Sequence, residues 1–512
     1  MRWLNKAFGF LKSGRGYSGA GYLRAFRDWV VSFGSPDGEI LKDIKLIRAR
    51  SRDLYKNNAI GRGAIDVLVT NVVGRGLKMQ TAFDRDVIAE HNGWSEQQAD
   101  EFFEKLEKKV ERRWKRYFQS TEVDARRVSN GYAQQRMILR NVLQSGDIFV
   151  TMPIINRHGS DYGLRVGVIE ADQVQNPIGS FDNSHLRDGV VLDDNGVPIS
   201  YWVNTNQEQL PQCMVEFPIY GKESGRRMIL HLFTEERPGQ NRGIPFLAPV
   251  FEVLKNADSY KKSELNAALV SSFFTVFIKS NTVGTIGQFG KKNEPADTAN
   301  DLKMGPAAIL ELPPGKDVTF ADTKRPNSGV DAFLTALWRE VGTALGIPYE
   351  VLIRHFTNNF TASRASRIEF WKLVKTLREW MVDHLSIPHY KEWFIGEVLA
   401  GHFDVPGFFD NPEIQNAYMG SQWFGEALGM INEKVEVDAI KSRVALGIST
   451  LTEEAAEALG NDYEEVIRTQ RREKRLREKL NTPNDIDIEK GGASGIPAIQ
   501  ARNIPKPTEA AA

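Results

Sequence analysis

Two stretches of helical periodicity, 247–269 and 330–345, flank a segment, 271–327, in which that periodicity is lost. This constrains the fold more than any other feature: the chain leaves one long helix, forms short β-like runs, and returns to a second long helix. The first helix follows Pro245 and Pro249. The second carries Phe333, Leu334, Leu337, Trp338, Val341 and Leu345 on its apolar face and stops at Gly346-Ile347-Pro348, a combination that ends helices. Between them, Phe273–Ile278, Ala308–Leu312 and Val318–Phe320 read as strands, with Pro313-Pro314-Gly315 between the last two and a polar loop over 281–300. With 512 residues, 41% of them hydrophobic, the chain is too long for one ordinary domain, and two to four folded units are expected.

The remaining periodicity is mixed. A helical pattern runs over 41–73, with interruptions expected at Gly61 and Gly63 and an end at Gly74 and Gly76. Residues 100–118 predict an amphipathic helix with Phe103, Leu106, Val110, Trp114 and Tyr117 on one stripe and Lys108, Arg112, Arg113 and Lys115 mostly elsewhere, a distribution that ordinarily marks a solvated face. A helix over 133–144 is followed by strands over 148–155 and 164–170. Val190–Leu192 and Ile199–Val203 flank Asp194-Asn195-Gly196 and predict a hairpin, and 228–233 a further strand. Residues 350–362 are aperiodic and polar. A helix is expected from Ser363, with Phe370, Trp371, Val374, Leu377, Met381 and Leu385 on one side, and others over 434–446 and 452–479, the last without a full capping box. The fold class is therefore α+β.

Composition removes several classes of function. Lys+Arg and Asp+Glu are 66 each, without the basic excess of a protein that grips DNA through its phosphates. The one cysteine, Cys213, excludes an intrachain disulfide and suits a reducing compartment. No apolar run reaches the roughly 18–20 residues of a membrane span, so no membrane partner is expected. The N-terminal segment is basic but Lys6 and Lys12 interrupt its apolar residues, so it reads as a flexible arm of a cytoplasmic protein rather than a targeting signal.

Catalytic signatures fare no better. Gly14-Arg15-Gly16-Tyr17-Ser18-Gly19 fits GxGxxG but follows a basic arm instead of a strand, so the phosphate site of a dinucleotide fold is not expected. There is no GxxxxGK[ST], no HExxH, no cysteine pair spaced for zinc and no GxSxG. His384 and His389 are five apart across Pro388 and should not share a helix face. Glu170 and Asp172 would share a strand face, and solvated carboxylates at a strand end are the simpler reading. No catalytic residue, metal or cofactor is assigned, and the chain does not read as an enzyme.

An ordered set of short segments resembles the lambda-type phage portal family. They are Arg50-Ser51-Arg52-Asp53-Leu54-Tyr55 with Thr70-Asn71-Val72-Val73-Gly74; Gly146-Asp147 and Ile169-Glu170-Ala171-Asp172-Gln173-Val174 with Pro177; and His231-Leu232-Phe233, Arg237-Pro238-Gly239-Gln240 and Arg242-Gly243-Ile244-Pro245. Further on come Gly346-Ile347-Pro348-Tyr349-Glu350, then Asn359-Phe360-Thr361-Ala362-Ser363-Arg364, and lastly Lys434, Asp438-Ala439, Gly447-Ile448-Ser449-Thr450 and Asp462-Tyr463-Glu464-Glu465-Val466. The resemblance spans about 45–480. It implies a portal fold with a β-rich wing, a two-helix stem, a small α/β clip, a tunnel loop and a helical crown. Laid on this sequence, residues 1–40 are a basic flexible arm, 41–246 the wing, 247–270 and 329–347 the stem helices, 271–328 the clip and 348–362 the tunnel loop. Residues 363–433 return to the wing, 434–480 form the crown-like region and 481–512 a disordered tail.

The resemblance also implies a self-assembled ring, usually of twelve subunits, at one capsid vertex of a tailed phage or prophage. Double-stranded DNA would pass through it during packaging and ejection. The terminase large subunit would dock first and a head–tail connector protein later, with major capsid and scaffold proteins around it. The protein would belong to the virion and assemble in the host cytoplasm. The candidates for the DNA channel are Arg354, His355, Thr357, Asn358, Asn359 and Phe360; those for stem contacts between subunits or with the channel are Lys255, Lys261, Lys262 and Glu264. A DNA-binding protein of another kind, or an enzyme with a dispersed active site, are the rival classes. The first would need a basic domain or a catalytic cluster, and neither is visible; the second would have an active site that sequence does not reveal.

Overall fold

The computed structural model describes residues 31, 33–206, 213–272, 276–280, 316–320, 329–356, 360–429, 433–455 and 463–479. The GxGxxG run, the loop 281–300, the run 308–312 and the tail 481–512 lie outside them. The chain divides into two compact units, 1–428 and 429–512.

The first unit opens with α1 (Pro36–Ile40), α2 (Ile44–Asn57) and α3 (Ala59–Val72). Helix α1 corrects the expectation that residues up to 40 are a flexible arm. Its Asp37 is buried and accepts hydrogen bonds from the Asn241 backbone N–H (2.9 Å) and side-chain amide (2.7 Å). The break between α2 and α3 falls at Asn58, not at Gly61 or Gly63. Asn58 is extended (φ −112°, ψ 120°), and its side-chain oxygen caps α3 through the Gly61 N–H at 2.7 Å. Its amide also donates to Asp258 Oδ2 at 2.7 Å, so the break is fixed by a contact 200 residues away. Gly74 and Gly76 do end α3, both at positive φ.

Strand β1 (Lys78–Thr81) and helix α4 (Arg85–Asn92) precede α5 (Glu96–Gln119), which a Ser95–Gln98 capping box starts. Then come α6 (Gly131–Ser145), β2 (Asp147–Thr151), β3 (Gly167–Glu170), β4 (Leu186–Arg187), β5 (Val190–Leu192), β6 (Pro198–Asn204), β7 (Met214–Pro218) and β8 (Ile229–Phe233). The strands form two antiparallel sheets, β3-β2-β8 and β4-β5-β6-β7. The β5–β6 pairing, Val190 opposite Tyr201, is the hairpin that the Asp-Asn-Gly turn predicts.

β2 has a core on each side. Ile148 and Val150 belong to the large core shared with the helices, whereas Phe149 points into a smaller core with Val190, Tyr201, Val203 and Ile229. This follows from the two-residue alternation of a strand and explains why its sequence is continuously apolar. At its N-terminal end, Gly146 (φ +90°) and Gly243 cross backbone to backbone. A Cβ at Gly243 would stand 2.1 Å from the Gly146 carbonyl oxygen, so neither position admits a side chain.

Helix α7 (Phe251–Ser272) follows a short 3-10 turn. Strands β9 (Val276–Ser280) and β10 (Lys316–Phe320) pair antiparallel, and α8 (Val330–Leu345) completes the helix–insert–helix arrangement. Residues 350–353, expected to be aperiodic, lie in a short helix, α9 (Tyr349–Ile353), and α10 (Phe360–Met381) starts three residues before Ser363. A π-helical turn, Val382–Ser386, joins α10 to α11 (Ile387–Leu399), where Pro388 supplies no backbone N–H. Helix α12 (Pro412–Tyr418) and strand β11 (Ser421–Phe424) end the unit, with β11 antiparallel to β1.

α5 and α11 meet through aromatic rings: Trp114 contacts Tyr390 and Trp393 at centroid distances of 5.5 and 5.0 Å. His389 lies fully inside this cluster, its Nε2 2.9 Å from the Tyr117 hydroxyl, while His384 is exposed and stacks on Trp380. Burial pushes the His389 imidazole down to about 3. The unfolded chain, with an ordinary value of about 6.5, therefore binds more protons between these two pH values, and stability falls as pH drops through that window. From pH 6.5 to 5, above the carboxylate range, the expected loss from His389 is about 2 kcal/mol. Urea unfolding of wild type and His389→Phe across that range checks it. An unchanged pH slope in the variant would remove His389 from the account.

In the second unit, α13 (Glu433–Ala445), α14 (Leu451–Glu454) and α15 (Tyr463–Lys479) are described. The sequence expectation of a helix start at Thr452 without a capping box is corrected: the box is Thr450 with Glu453. Arg443 holds Glu454 through two bonds of 2.6 Å.

Candidate functional site

The four stem candidates divide into two pairs. Lys261 is taken up within the subunit, 2.9 Å from Asp258 on its own helix and with its ammonium 5.3 Å from the Trp338 ring centroid on α8. Glu264 is buried. Lys255 and Lys262 are exposed. Tyr260 and Phe333 meet edge to face at 4.9 Å and hold α7 against α8. Yet Phe333 is still 49% exposed, Leu265 61% and Leu269 51%. Large apolar side chains on a helix pair that already has an inner packed face signal a second covered face.

α8 ends as its sequence predicts. Gly346 is left-handed (φ +65°), the Ile347 N–H bonds to the Gly342 carbonyl at 2.9 Å, and a Cβ at Gly342 would lie 2.5 Å from the Ile347 oxygen. Tyr349 begins α9 beneath the Arg339 guanidinium, 5.5 Å from its ring centroid. α9 stops at Arg354, which is left-handed at φ +55° without being glycine. That conformation costs a non-glycine residue about 1 kcal/mol and is kept where the surroundings demand it. The Arg354 N–H donates to the Glu350 carbonyl, as does that of His355. Arg354, His355 and Phe356 are exposed, and Arg354 makes no ion pair among the described residues. Thr357, Asn358 and Asn359 lie outside the described residues, and Phe360 is the first residue of α10.

The segments that carried the sequence resemblance converge elsewhere, on a buried charge cluster. Asp147, at the start of β2, accepts from Arg242 Nε at 2.6 Å and from Arg48 Nη2 at 2.8 Å, with His231 Nε2 at 3.3 Å. Arg242 reaches Asp188 Oδ2 (2.6 Å) and the carbonyls of Ala171 (2.7 Å) and Val174 (3.0 Å). Asp172 sits 3.6 Å from Arg48 and binds Arg52 on the next turn of α2. Asp147, Arg48 and Arg242 are all buried. Burial pushes the Asp147 carboxyl up, but the guanidiniums of Arg242 and Arg48 and the His231 bond more than reverse this and hold it far below the usual carboxylate range. His231 is pushed down by burial despite its bond to Asp147.

This cluster joins α2, β2, β8, the turn after β3 and the loop 237–245. Its centre, Asp147 with Arg48 and Arg242, is closed to solvent, its carboxylates are committed to arginines, and it holds no nucleophile beside a free base. It is a latch, not a reaction site. Of the suspected acid pair, Asp172 belongs to the latch and Glu170 is exposed. Sequence reading missed Arg48 and Asp188. The i, i+4 repeat of Arg48 and Arg52 on α2 was the available signal for the first; Asp188, in a left-handed turn at φ +41°, left none. Among the described residues no group of His, Cys, Asp and Glu is arranged to hold a metal ion, and no helix is long and apolar enough to cross a membrane.

The sequence profile of the family described as phage portal protein, lambda family, matches residues 23–378. Portal protein B of Escherichia phage lambda is 22% identical over 485 residues, covering 89% of this chain and 88% of that protein. The portal protein of Escherichia phage N15 is 23% identical over 505 residues, covering 91% of each. A solved chain from the neck of an empty GTA particle computed with C6 symmetry is similar with a TM-score of 0.46 and 13% identity, over 83% of this chain and 94% of that one.

Proposed function

This chain belongs to the lambda family of phage portal proteins, and from that premise we propose that its copies close into a ring, usually of twelve, that conducts double-stranded DNA at one vertex of the capsid. It is a structural subunit of a tailed phage and does not act as an enzyme. In this reading α7 and α8 are the stem, β9 and β10 belong to the clip, 348–362 is the tunnel loop, residues from 41 to 246 and from 363 to 433 build the wing, and α13 to α15 belong to the crown. The terminase large subunit docks on the ring during packaging and a head–tail connector protein replaces it. Major capsid and scaffold proteins surround the wing, so the protein resides in the virion after assembly in the host cytoplasm.

The observation that carries the ring is the apolar surface left on the stem at Leu265, Leu269 and Phe333. A closed ring uses a heterologous interface, in which one face of each subunit meets a different face of the next. Lys255 and Lys262, exposed on the same helix pair, face a neighbour or the channel. Arg354 and His355 turn out of α9 toward the DNA path, followed by Thr357, Asn358, Asn359 and Phe360. Duplex DNA carries one negative charge per roughly 1.7 Å, and a channel dense in cations would arrest it. Few charges and several hydrogen-bonding residues suit a conduit. Negative-stain electron microscopy of the purified chain should give end-on views of rings of about a dozen subunits with a hole of about 20 Å or more, wide enough for a duplex whose major groove alone is about 12 Å wide. Monomers at every salt and protein concentration, with and without a capsid partner, would overturn the proposal.

A further inference from the structure

The solvent face of α5 carries a line of cations that neither the core nor the ring reading uses. Lys105, Lys109, Arg112 and Arg116 follow one another at steps of four, three and four, all exposed. These steps place them on one face, over about 16 Å of helix. Residues 105–116 hold seven Lys/Arg against two Glu in a chain whose net charge is zero. Three of the nearby carboxylates are engaged elsewhere, and the exposed Glu101, four residues before Lys105, stands beside the row only at its start. Glu104 is bound by Lys108, Glu107 by Arg85 at 2.8 Å, and Glu111 accepts from Thr81 N–H and hydroxyl. Lys105, Lys109, Arg112 and Arg116 make no ion pair among the described residues.

A merely solvated helix lowers its own repulsion by alternating charge at i, i+4. Here like charges stand at i, i+4 twice and i, i+3 once, which destabilises the isolated helix. Cations near a helix C-terminus gain from its dipole, but that effect fades within the last turn and reaches only Arg116. The face also lacks what a protein partner would need. No large apolar side chain of α5 is exposed among the described residues, whereas protein interfaces centre on buried apolar or aromatic anchors and are depleted in Lys. A row of cations without an apolar centre suits a phosphate backbone, which is recognised by charge alone.

We propose that the Lys105–Lys109–Arg112–Arg116 face of α5 binds the sugar–phosphate backbone of double-stranded DNA, independently of sequence and separately from the channel. The proposal requires neither the ring nor the tunnel-loop assignment. The test is binding of a fluorescent, covalently closed circular duplex, which has no end to thread into a channel, to the full chain between 50 and 200 mM salt (concentrations of about that order span the sensitive range). In the variant with all four replaced by Gln, the slope of log K against log salt should fall by about 3 to 4, since each phosphate contact contributes about 0.9. A charge-keeping variant, Lys105→Arg with Lys109→Arg, Arg112→Lys and Arg116→Lys, should retain the wild-type slope. Circular dichroism and ring state serve as fold controls, and failure of ring assembly with the slope effect intact would sink the ring reading alone. Equal slopes for wild type and the Gln variant, or no DNA binding by wild type, would overturn the proposal and leave the face to solvent or to an acidic protein.

Discussion

Asp147→Ala should open the wing around β2, with a loss of about 3 to 5 kcal/mol in local stability. The substitution removes the carboxylate that two buried guanidiniums, Arg48 and Arg242, share at 2.8 and 2.6 Å, and leaves them only Asp188 and the more exposed Asp172. Removing one partner of a buried pair costs more than the pair contributes, because the remaining charge has no solvent to return to. The effect should appear as loss of hydrogen-exchange protection in β2 and β8, whose residues Ile148 and Leu232 pair across the sheet, and as a lower urea midpoint. Replacing the buried group together, Arg48→Met, Asp147→Leu, Asp188→Asn and Arg242→Met, should recover much of the loss, since its buried charges are then removed as a set. An Asp147→Ala chain with β2 and β8 protection within about 1 kcal/mol of wild type would show that the latch is incidental.

The second large effect concerns assembly. Leu265→Asp combined with Leu269→Asp should leave the subunit folded and the ring dissociated. In the subunit both side chains are about half or more exposed, so charge there is tolerated. In a stem interface each would be buried, at about 1.5 to 3 kcal/mol per side chain. Losing both amounts to a 100-fold or greater weakening per interface, repeated at every junction of the ring. Mass photometry should show monomers where wild type shows rings, with unfolding of the subunit unaltered. Rings of normal size and persistence from the doubly substituted chain would place the stem contacts elsewhere.

Local elements were legible where a single segment carries its own instructions. The α8 boundaries, 330–345, follow from a 3.6-residue apolar repeat closed by Gly346 and Pro348, and the β5–β6 hairpin from alternation around Asp-Asn-Gly. The family was legible in the same way, from short motifs in order. The roles of those motifs were not. Arg242 was visible as part of a block and Asp147 as part of another, but nothing within either says that they share a salt bridge across 95 residues. The stem candidates show the same limit. Periodicity put Lys261 and Lys262 side by side, and only the position of Trp338 and Asp258 decides that the first is engaged and the second exposed.

The sequence by itself therefore determined the α+β class, the paired helices with their insert, and membership of a portal family, because periodicity, turn chemistry and motif order are properties of neighbouring residues. Tertiary structure alone decided where the helix breaks at Asn58, which face of β2 meets which core, how β1 joins β11 across more than 300 residues, and which charges are buried. Each of these depends on desolvation and on partners brought together from distant segments. The free energy of a guanidinium or an asparagine side chain changes by several kcal/mol according to what surrounds it, and the surroundings are fixed only when the chain has closed on itself.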